Sequence, residues 1–86
     1  MASYSLRIKQ SAAKELEAIG SKTDRQRIVG KIEALADDPR PPGCQKLSGR
    51  DLYRLRQGRY RILYSIEDRD LIVCVIRIGD RKDVYR

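Results

Sequence analysis

The sequence predicts a single α+β domain in which two helices lie on one face of a four-stranded sheet. A chain of 86 residues has room for one domain and one core. Apolar residues alternate near the N-terminus, then recur at helical spacing, and alternate again in three later segments. Because short turns join those last segments, we expect an N-terminal strand, a two-helix antiparallel hairpin and a three-strand antiparallel meander within residues 1–86.

The first half of the chain carries the N-terminal strand and both helices. Residues 4–8 alternate between apolar and polar side chains, which is typical of a half-buried strand. Ser11 is expected to cap the first helix. Thr23 and Gln26 form a predicted capping box for the second helix, which Pro39 ends.

Residues 37–50 are expected to form a long loop, because they contain all three prolines and two of the glycines. A loop of this length in a small domain is often functional, or else a flexible connector.

The segment from Leu52 to Tyr64 predicts a hairpin with a turn at Gln57 and Gly58. Successive side chains of a strand face opposite sides of a sheet. One face of the hairpin is therefore apolar and is expected to pack in the core through Tyr53, Leu55, Tyr60, Ile62 and Tyr64. The other face carries Arg54, Arg56, Arg59, Arg61 and Leu63. These arginines are either ordinary solvent-facing residues or a phosphate-binding surface.

The last predicted strand covers residues 71–78 and follows a polar turn. Strict alternation places Leu71, Val73, Val75 and Arg77 on one face, and Ile72, Cys74, Ile76 and Ile78 on the other. If the chain stays extended past Gly79, Arg81 lies on the same side as Arg77.

The composition favours an anionic partner and argues against a metal centre. The net charge is +7, and arginine, whose planar fork suits bidentate phosphate contacts, outnumbers lysine. The chain has no histidine, and Cys44 and Cys74 are far apart, so we expect no metal and no cofactor. No apolar run is long enough to cross a bilayer, and nothing suggests a disulfide framework. We therefore expect a cytoplasmic protein without a membrane partner.

Five segments together resemble the RelE/ParE superfamily of bacterial and archaeal toxins. They are Leu47–Gly49, Leu52–Arg56, Tyr60–Tyr64, Ile76–Arg81 and Val84–Tyr85. The resemblance covers nearly the whole chain. It is closer to the RelE branch, because both the late arginine and the terminal tyrosine are present.

The resemblance implies a toxin of a type II toxin–antitoxin pair. Such a toxin enters the A site of the 70S ribosome, contacts 16S ribosomal RNA and cuts messenger RNA there. The cut is metal-independent, because the ribose 2′-oxygen attacks the adjacent phosphate. A cognate RelB-like antitoxin silences the toxin, and operator DNA is reached only through that antitoxin. We expect the antitoxin segment that binds this basic chain to be acidic and amphipathic.

The resemblance also implies roles for individual residues. Arg61 matches the arginine that grips the phosphate, Arg81 the proposed acid or charge stabiliser, and Tyr85 the aromatic that orients a base. Arg54 and Arg56 stand where lysines are common in this family. The expected catalytic residues are Arg56, Arg61, Arg81 and Tyr85, and the expected RNA-binding residues are Arg54, Arg59, Arg77 and Lys82.

One departure from the family pattern concerns the general base. An arginine does not readily accept a proton, since its pKa stays above about 12. Cleavage would then depend on electrostatic stabilisation and positioning, with the ribosome or a carboxylate such as Asp80 or Asp83 assisting. Two other functions stay open. One is a ParE-like toxin that poisons DNA gyrase, and the other is a non-catalytic homologue that acts as corepressor with its antitoxin.

Overall fold

Seven elements of secondary structure follow one another along residues 3–80, the part of the chain that this computed structural model describes. They are β1 (Ser5–Ile8), α1 (Gln10–Glu17), α2 (Lys22–Ala34), β2 (Gln45–Lys46), β3 (Tyr53–Gln57), β4 (Tyr60–Glu67) and β5 (Ile72–Asp80). The predicted α+β class, with one strand, two helices and then a meander, is confirmed. Four residues singled out above lie outside the described residues: Arg81, Lys82, Asp83 and Tyr85.

The strands form one mixed sheet of five strands in the order β1-β5-β4-β3-β2. β1 runs parallel to β5, and the other neighbouring pairs are antiparallel. The prediction of four strands was therefore wrong by one. The extra strand, β2, comes from the predicted loop and pairs Gln45 with Arg54 and Lys46 with Tyr53. Two residues are too few to show an alternating pattern in the sequence.

Both helices begin at residues other than those expected. The N-cap of α1 is Lys9, which makes no side-chain cap, so the prediction that Ser11 caps this helix was wrong. The N-cap of α2 is Ser21, whose Oγ accepts the Asp24 amide hydrogen at 3.2 Å. The capping box predicted at Thr23 was therefore wrong, because a hydroxyl two residues earlier takes the same role. Neither helix within residues 3–80 has the length and apolar character needed to cross a membrane.

The hairpin between β3 and β4 turns through Gly58 and Arg59, one residue later than predicted. β3 extends to Gln57, which pairs with Tyr60, so only two residues remain in the loop. The φ of Gly58 is +60°. A positive φ at the first central position is what a type II′ turn requires, and glycine adopts it without strain.

The core lies between the helices and one face of the sheet. Its buried members from the helices and the residues just after them are Ala12, Ile19, Ile28, Ile32 and Leu35. Those from the sheet are Leu55, Ile62, Tyr64, Val73, Val75 and Ile78. The tyrosines expected in the core are there: Tyr64 is fully buried, while Tyr53 and Tyr60 are partly buried against the core. The Tyr64 hydroxyl donates to the Pro39 carbonyl at 2.7 Å, and burial raises the pKa of Tyr64, so it acts as a neutral donor.

A β-bulge interrupts the alternation along β5. Tyr64 pairs with Val75 and Leu63 pairs with Arg77, which leaves Ile76 as an extra residue between them. Val75 and Ile78 are therefore both buried in the core, and Arg77 faces the opposite side of the sheet. The strict alternation predicted for this strand was wrong beyond Val75.

A cluster of polar side chains joins the loop before β2 to the turn after β4 and to Tyr53 on β3. Arg40 donates to both carboxylate oxygens of Asp68, in the turn after β4, at 3.2 and 3.0 Å. The Tyr4 hydroxyl donates to Asp68 Oδ1 at 2.7 Å, and Arg40 also donates to the Tyr53 hydroxyl at 3.3 and 3.2 Å. Hydrogen bonds from Arg40, and then from Tyr4, hold the pKa of Asp68 below its usual value.

The lowered pKa of Asp68 predicts how Asp68→Asn changes stability with pH. A carboxyl group whose pKa is lower in the folded state stabilises the fold above its unfolded pKa, and that contribution is lost as pH falls through the folded pKa. Asp68→Asn is therefore expected to lower the thermal unfolding midpoint at pH 7, and the difference from wild type should shrink below about pH 4. Thermal unfolding followed by circular dichroism between pH 3 and 7 measures this difference. Asp70→Asn, an exposed change in the same turn, is the control. Equal midpoint losses at every pH would contradict the prediction.

Candidate functional site

Four arginines lie on the sheet face opposite the helices, and we call this set the basic face. Arg54 and Arg56 come from β3, Arg61 from β4 and Arg77 from β5. The register arranges them in two rows across the strands, Arg56–Arg61–Gly79 and Arg54–Leu63–Arg77. The structure thus brings together three of the four hairpin arginines that the sequence placed on one face, Arg54, Arg56 and Arg61, and adds Arg77.

The closest approach of like charges is expected in the first row, where Arg56 and Arg61 pair directly across the hairpin. Side chains in such a pair have Cβ atoms about 4.5–5.5 Å apart, and like charges there destabilise the sheet. Arg56 is exposed, whereas Arg61 is half-buried with its Nε atom enclosed. Within residues 3–80 no carboxylate forms an ion pair with Arg56. An anion bound between the two guanidinium groups would relieve this repulsion.

The second row is supported by a residue that the sequence analysis missed. Gln45, on β2, accepts a hydrogen bond through its Oε1 atom from Nη2 of Arg54. This contact exists because β2 pairs Gln45 directly with Arg54. No sequence signal could have found Gln45, since it lies in a segment without periodicity.

Arg77 reaches the edge of the basic face and contacts helix α1. Its Nε atom lies 3.6 Å from Oε2 of Glu15. Both side chains are partly exposed, so the ion pair is screened and contributes little to stability by itself. The ion pair instead fixes the position of the Arg77 side chain, which it holds towards the edge where β5 meets α1.

Arg59 and Asp80 bind one another at the end of the hairpin. Arg59 Nε donates to Asp80 Oδ2 at 2.7 Å, and this contact raises the pKa of Arg59. The Arg59 guanidinium also lies 5.8 Å from the centre of the Tyr60 ring. Asp80 pairs with Tyr60, so by alternation it begins on the helix side of the sheet. The structure therefore separates Arg59 and Asp80 from the four arginines of the basic face.

The chemistry available on the basic face is cationic. Its two rows offer guanidinium groups and one amide, and neither row contains a carboxylate. Guanidinium forks bind phosphate oxygens in pairs and neutralise negative charge. Among the described residues, no three His, Cys, Asp or Glu side chains form a possible metal site.

Comparison with known proteins identifies the family. The model of a family described as the ParE toxin of the type II toxin–antitoxin system parDE matches residues 6–85. The mRNA interferase toxin RelE of Escherichia coli K12 is 34% identical over 87 residues, which cover 95% of this chain and 90% of that protein. The chain belongs to the RelE/ParE superfamily of toxins. The RelE-like resemblance seen in its sequence is thereby confirmed.

Solved structures of RelE proteins share the fold of this toxin. The archaeal RelE–RelB complex of Pyrococcus horikoshii OT3 contains a chain that is 28% identical, with a TM-score of 0.83, covering 98% of this chain and all of that one. The isolated RelE toxin of E. coli is 31% identical, with a TM-score of 0.78, covering 95% of this chain and 90% of that one. The five-stranded sheet and helix pair of this toxin are thus an architecture found in both bacterial and archaeal relatives.

The repulsion between Arg56 and Arg61 predicts that a substitution on the basic face stabilises the toxin. Arg56→Gln removes one of the two facing charges and is expected to raise the free energy of unfolding by up to about 1 kcal/mol at low salt. The gain should shrink at 0.5 M salt, because exposed charges are then screened. Urea unfolding at both salt concentrations measures it, with Arg27→Gln on the exposed surface of α2 as the charge-matched control. A loss of stability in Arg56→Gln would show that the two guanidinium groups do not repel.

Proposed function

We propose that this toxin is a ribosome-dependent endoribonuclease that cuts messenger RNA in the ribosomal A site and so inhibits translation. The observation that carries the proposal is the direct pairing of Arg56 with Arg61 on the sheet face opposite the helices, beside Arg54 and Arg77. The 34% identity with a protein named mRNA interferase toxin RelE supports it. A sheet face that gathers cations suits a substrate whose backbone carries one negative charge per nucleotide.

The proposed reaction is an in-line attack by the ribose 2′-oxygen on the adjacent phosphorus. The 2′-oxygen–phosphorus bond forms as the phosphorus–5′-oxygen bond breaks, which leaves a 2′,3′-cyclic phosphate and a free 5′-hydroxyl. Negative charge grows on the non-bridging oxygens in the transition state. In the proposed reaction Arg61 and Arg56 stabilise that charge, an effect worth several kcal/mol when the donors are held in place. The reaction as proposed uses no metal and no cofactor.

Proton transfer is assigned to groups beyond the basic face. The 2′-hydroxyl must lose a proton and the leaving 5′-oxygen must gain one. The arginine guanidinium is already protonated and has no acceptor for the first proton, and the Asp80 carboxylate is already bound by Arg59. We assign the acceptor to the ribosome or to Asp83. Arg81 is proposed as the acid or charge stabiliser, and Tyr85 as the residue that orients a base.

The remaining basic residues are proposed to bind the RNA backbone. Arg54 is held by Gln45 and Arg77 by Glu15, so both guanidinium groups are positioned before RNA arrives. Lys82 is assigned to the same role. Arg59 is the weakest member of this set, because Asp80 engages it.

A ParE-like function is the second candidate, and the match to the ParE family model over residues 6–85 favours keeping it. A toxin of that kind would poison DNA gyrase by binding and would cut no RNA. Mapping of transcript ends after induction separates the two functions. Cuts within translated codons support the endoribonuclease, whereas a DNA-damage response without transcript cleavage supports the gyrase poison.

Removal of either facing arginine is expected to impair cleavage strongly. Loss of one charge-stabilising donor typically lowers the rate by about 100- to 1,000-fold. Arg61→Ala and Arg56→Ala should therefore each lower the single-turnover rate of messenger RNA cleavage on programmed ribosomes by about that factor. Arg27→Ala, which removes an exposed arginine from α2, is the matched control and should cleave at the wild-type rate. Wild-type cleavage by both Arg61→Ala and Arg56→Ala would end the proposal.

We further propose that an antitoxin binds on the helix side of the molecule, at the β1 edge. Three large apolar side chains of the described chain are exposed, Leu6 at 36%, Ile8 at 41% and Val29 at 39%. All three line one groove of about 190 Å³, together with Leu16 and Ile32. β1 is also the terminal strand of the sheet, so its outer edge can accept another segment.

The occupant that fits this groove is an amphipathic helix of an acidic antitoxin. Its apolar face would cover the three exposed side chains, and acidic residues beside that face would meet Arg7, which also lines the groove. Structures of E. coli and P. horikoshii RelE have been determined in complexes with RelB. We therefore propose a RelB-like antitoxin as the partner of this toxin.

A charge placed in the groove is expected to weaken antitoxin binding without unfolding the toxin. Val29→Lys puts an ammonium group where the apolar face of the helix would lie, and burying an unpaired charge is costly. The Kd for the co-expressed antitoxin, measured by calorimetry, should rise at least about tenfold, which corresponds to about 1.4 kcal/mol. Thr23→Lys, on the exposed part of α2 outside the groove, adds the same charge and serves as the control. Equal affinities of the two variants would place the antitoxin elsewhere.

A further inference from the structure

One carboxylate on helix α1 contacts two consecutive residues of the strand that completes the basic face. Glu15 Oε1 accepts the Ile78 amide hydrogen at 3.0 Å. Glu15 Oε2 lies 3.6 Å from Nε of Arg77. Glu15 is half-buried and is 63 positions from Ile78 in the chain, so these contacts form only in the folded molecule.

The hydrogen bond from the Ile78 amide to Glu15 lies beyond the end of β1, where that edge of β5 is no longer paired with β1. The last residue of β1, Ile8, pairs with Val75, and the Lys9 amide makes the final hydrogen bond of this pair to the Val75 carbonyl at 2.9 Å. β5 continues to Asp80. An unpaired, partly buried amide there would destabilise the fold. The Glu15 side chain supplies the acceptor that a longer β1 would have provided.

The same stretch of β5 contains the bulge that decides the direction of Arg77. Ile76 is the extra residue, and Ile78 follows two positions later. In a regular strand Arg77 would share the core face of Val75, since residues two apart face the same side. With the bulge, Arg77 stands on the basic face and Ile78 returns to the core.

We propose that Glu15 is a positioning residue of this toxin, which anchors the bulged end of β5 and so directs Arg77 to the basic face. The proposal rests on the proposed endoribonuclease function for its effect on rate. Glu15 touches neither substrate nor reacting atoms in this role, and it acts through the backbone of Ile78 and the guanidinium of Arg77.

The two contacts of Glu15 can be separated by substitution. Glu15→Gln keeps an amide oxygen as acceptor for the Ile78 amide and removes the charge that attracts Arg77. Glu15→Met keeps the length of the side chain and suits a helix, but provides no strong acceptor. Because the ion pair is partly exposed and weak, the backbone contact is the one that anchors the bulge. Glu15→Gln should therefore keep the hydrogen bond to the Ile78 amide, and with it the anchored bulge, which Glu15→Met loses.

The first measurement is amide hydrogen exchange of Ile78 in the full-length toxin, followed by NMR. Glu15→Met is expected to lose the protection of the Ile78 amide, and Glu15→Gln to keep it. Glu17→Met, which removes an exposed carboxylate from the same helix, is the matched control and should leave this protection unchanged. If Glu15→Met does not fold, Glu15→Ala is the second variant without an acceptor. Wild-type protection in the folded variant would overturn the proposal.

The second measurement is the single-turnover cleavage rate on programmed ribosomes at a temperature well below the unfolding midpoint. A displacement of about 1 Å in a positioned group can cost about 100-fold in rate, so Glu15→Met should lower kcat/KM by about 10- to 100-fold while Glu15→Gln stays near wild type. A lower unfolding midpoint with unchanged kcat/KM would show a purely structural role and overturn the proposal. If the wild-type toxin itself cuts no messenger RNA, the proposed function fails, and Ile78 exchange still decides whether Glu15 holds the bulge.

Discussion

The place of Arg77 on the basic face depends on one extra residue in β5, a central strand of the sheet. Ile76 has no partner on β4, and its insertion reverses the direction of every side chain that follows it in β5. Val73 and Val75 fill the core before the bulge, and Ile78 fills it afterwards. The strand thereby buries apolar side chains along its length and still presents Arg77 on the opposite face. If Ile76 were instead paired in a regular strand, the Arg77 guanidinium would lie on the core face and desolvation would oppose folding.

The two faces of the sheet make opposite contributions to stability. The face under the helices buries the apolar side chains of all five elements that meet there and lets Tyr64 satisfy its hydroxyl on Pro39. On the other face Arg56 pairs directly with Arg61, and like charges in such a pair oppose folding. A domain of this size has a small margin of stability, so a bound polyanion or an antitoxin adds substantially to it.

The predictions made from the sequence agree with the structure where an apolar pattern repeats over many residues. They disagree where that pattern is short or interrupted. The helices, the hairpin and the core tyrosines follow from patterns that extend over several residues, and the arginine face follows from period-two alternation in β3 and β4. The pairing of Gln45 with Arg54 was not predictable, because a two-residue strand has no period. The cap at Ser21 was not predictable either, since neighbouring hydroxyls compete for the same role.

The sequence alone determined the α+β class, the superfamily, and the convergence of Arg56 and Arg61, because all of these depend on local periodicity and on the identity of residues within short segments. The tertiary structure alone decided that Arg77 joins them, that Asp80 is engaged by Arg59, and that Glu15 reaches the end of β5. Each of these last facts depends on two segments that are distant in the chain, or on a register shift between strands. Such relations arise from packing, which no local pattern encodes.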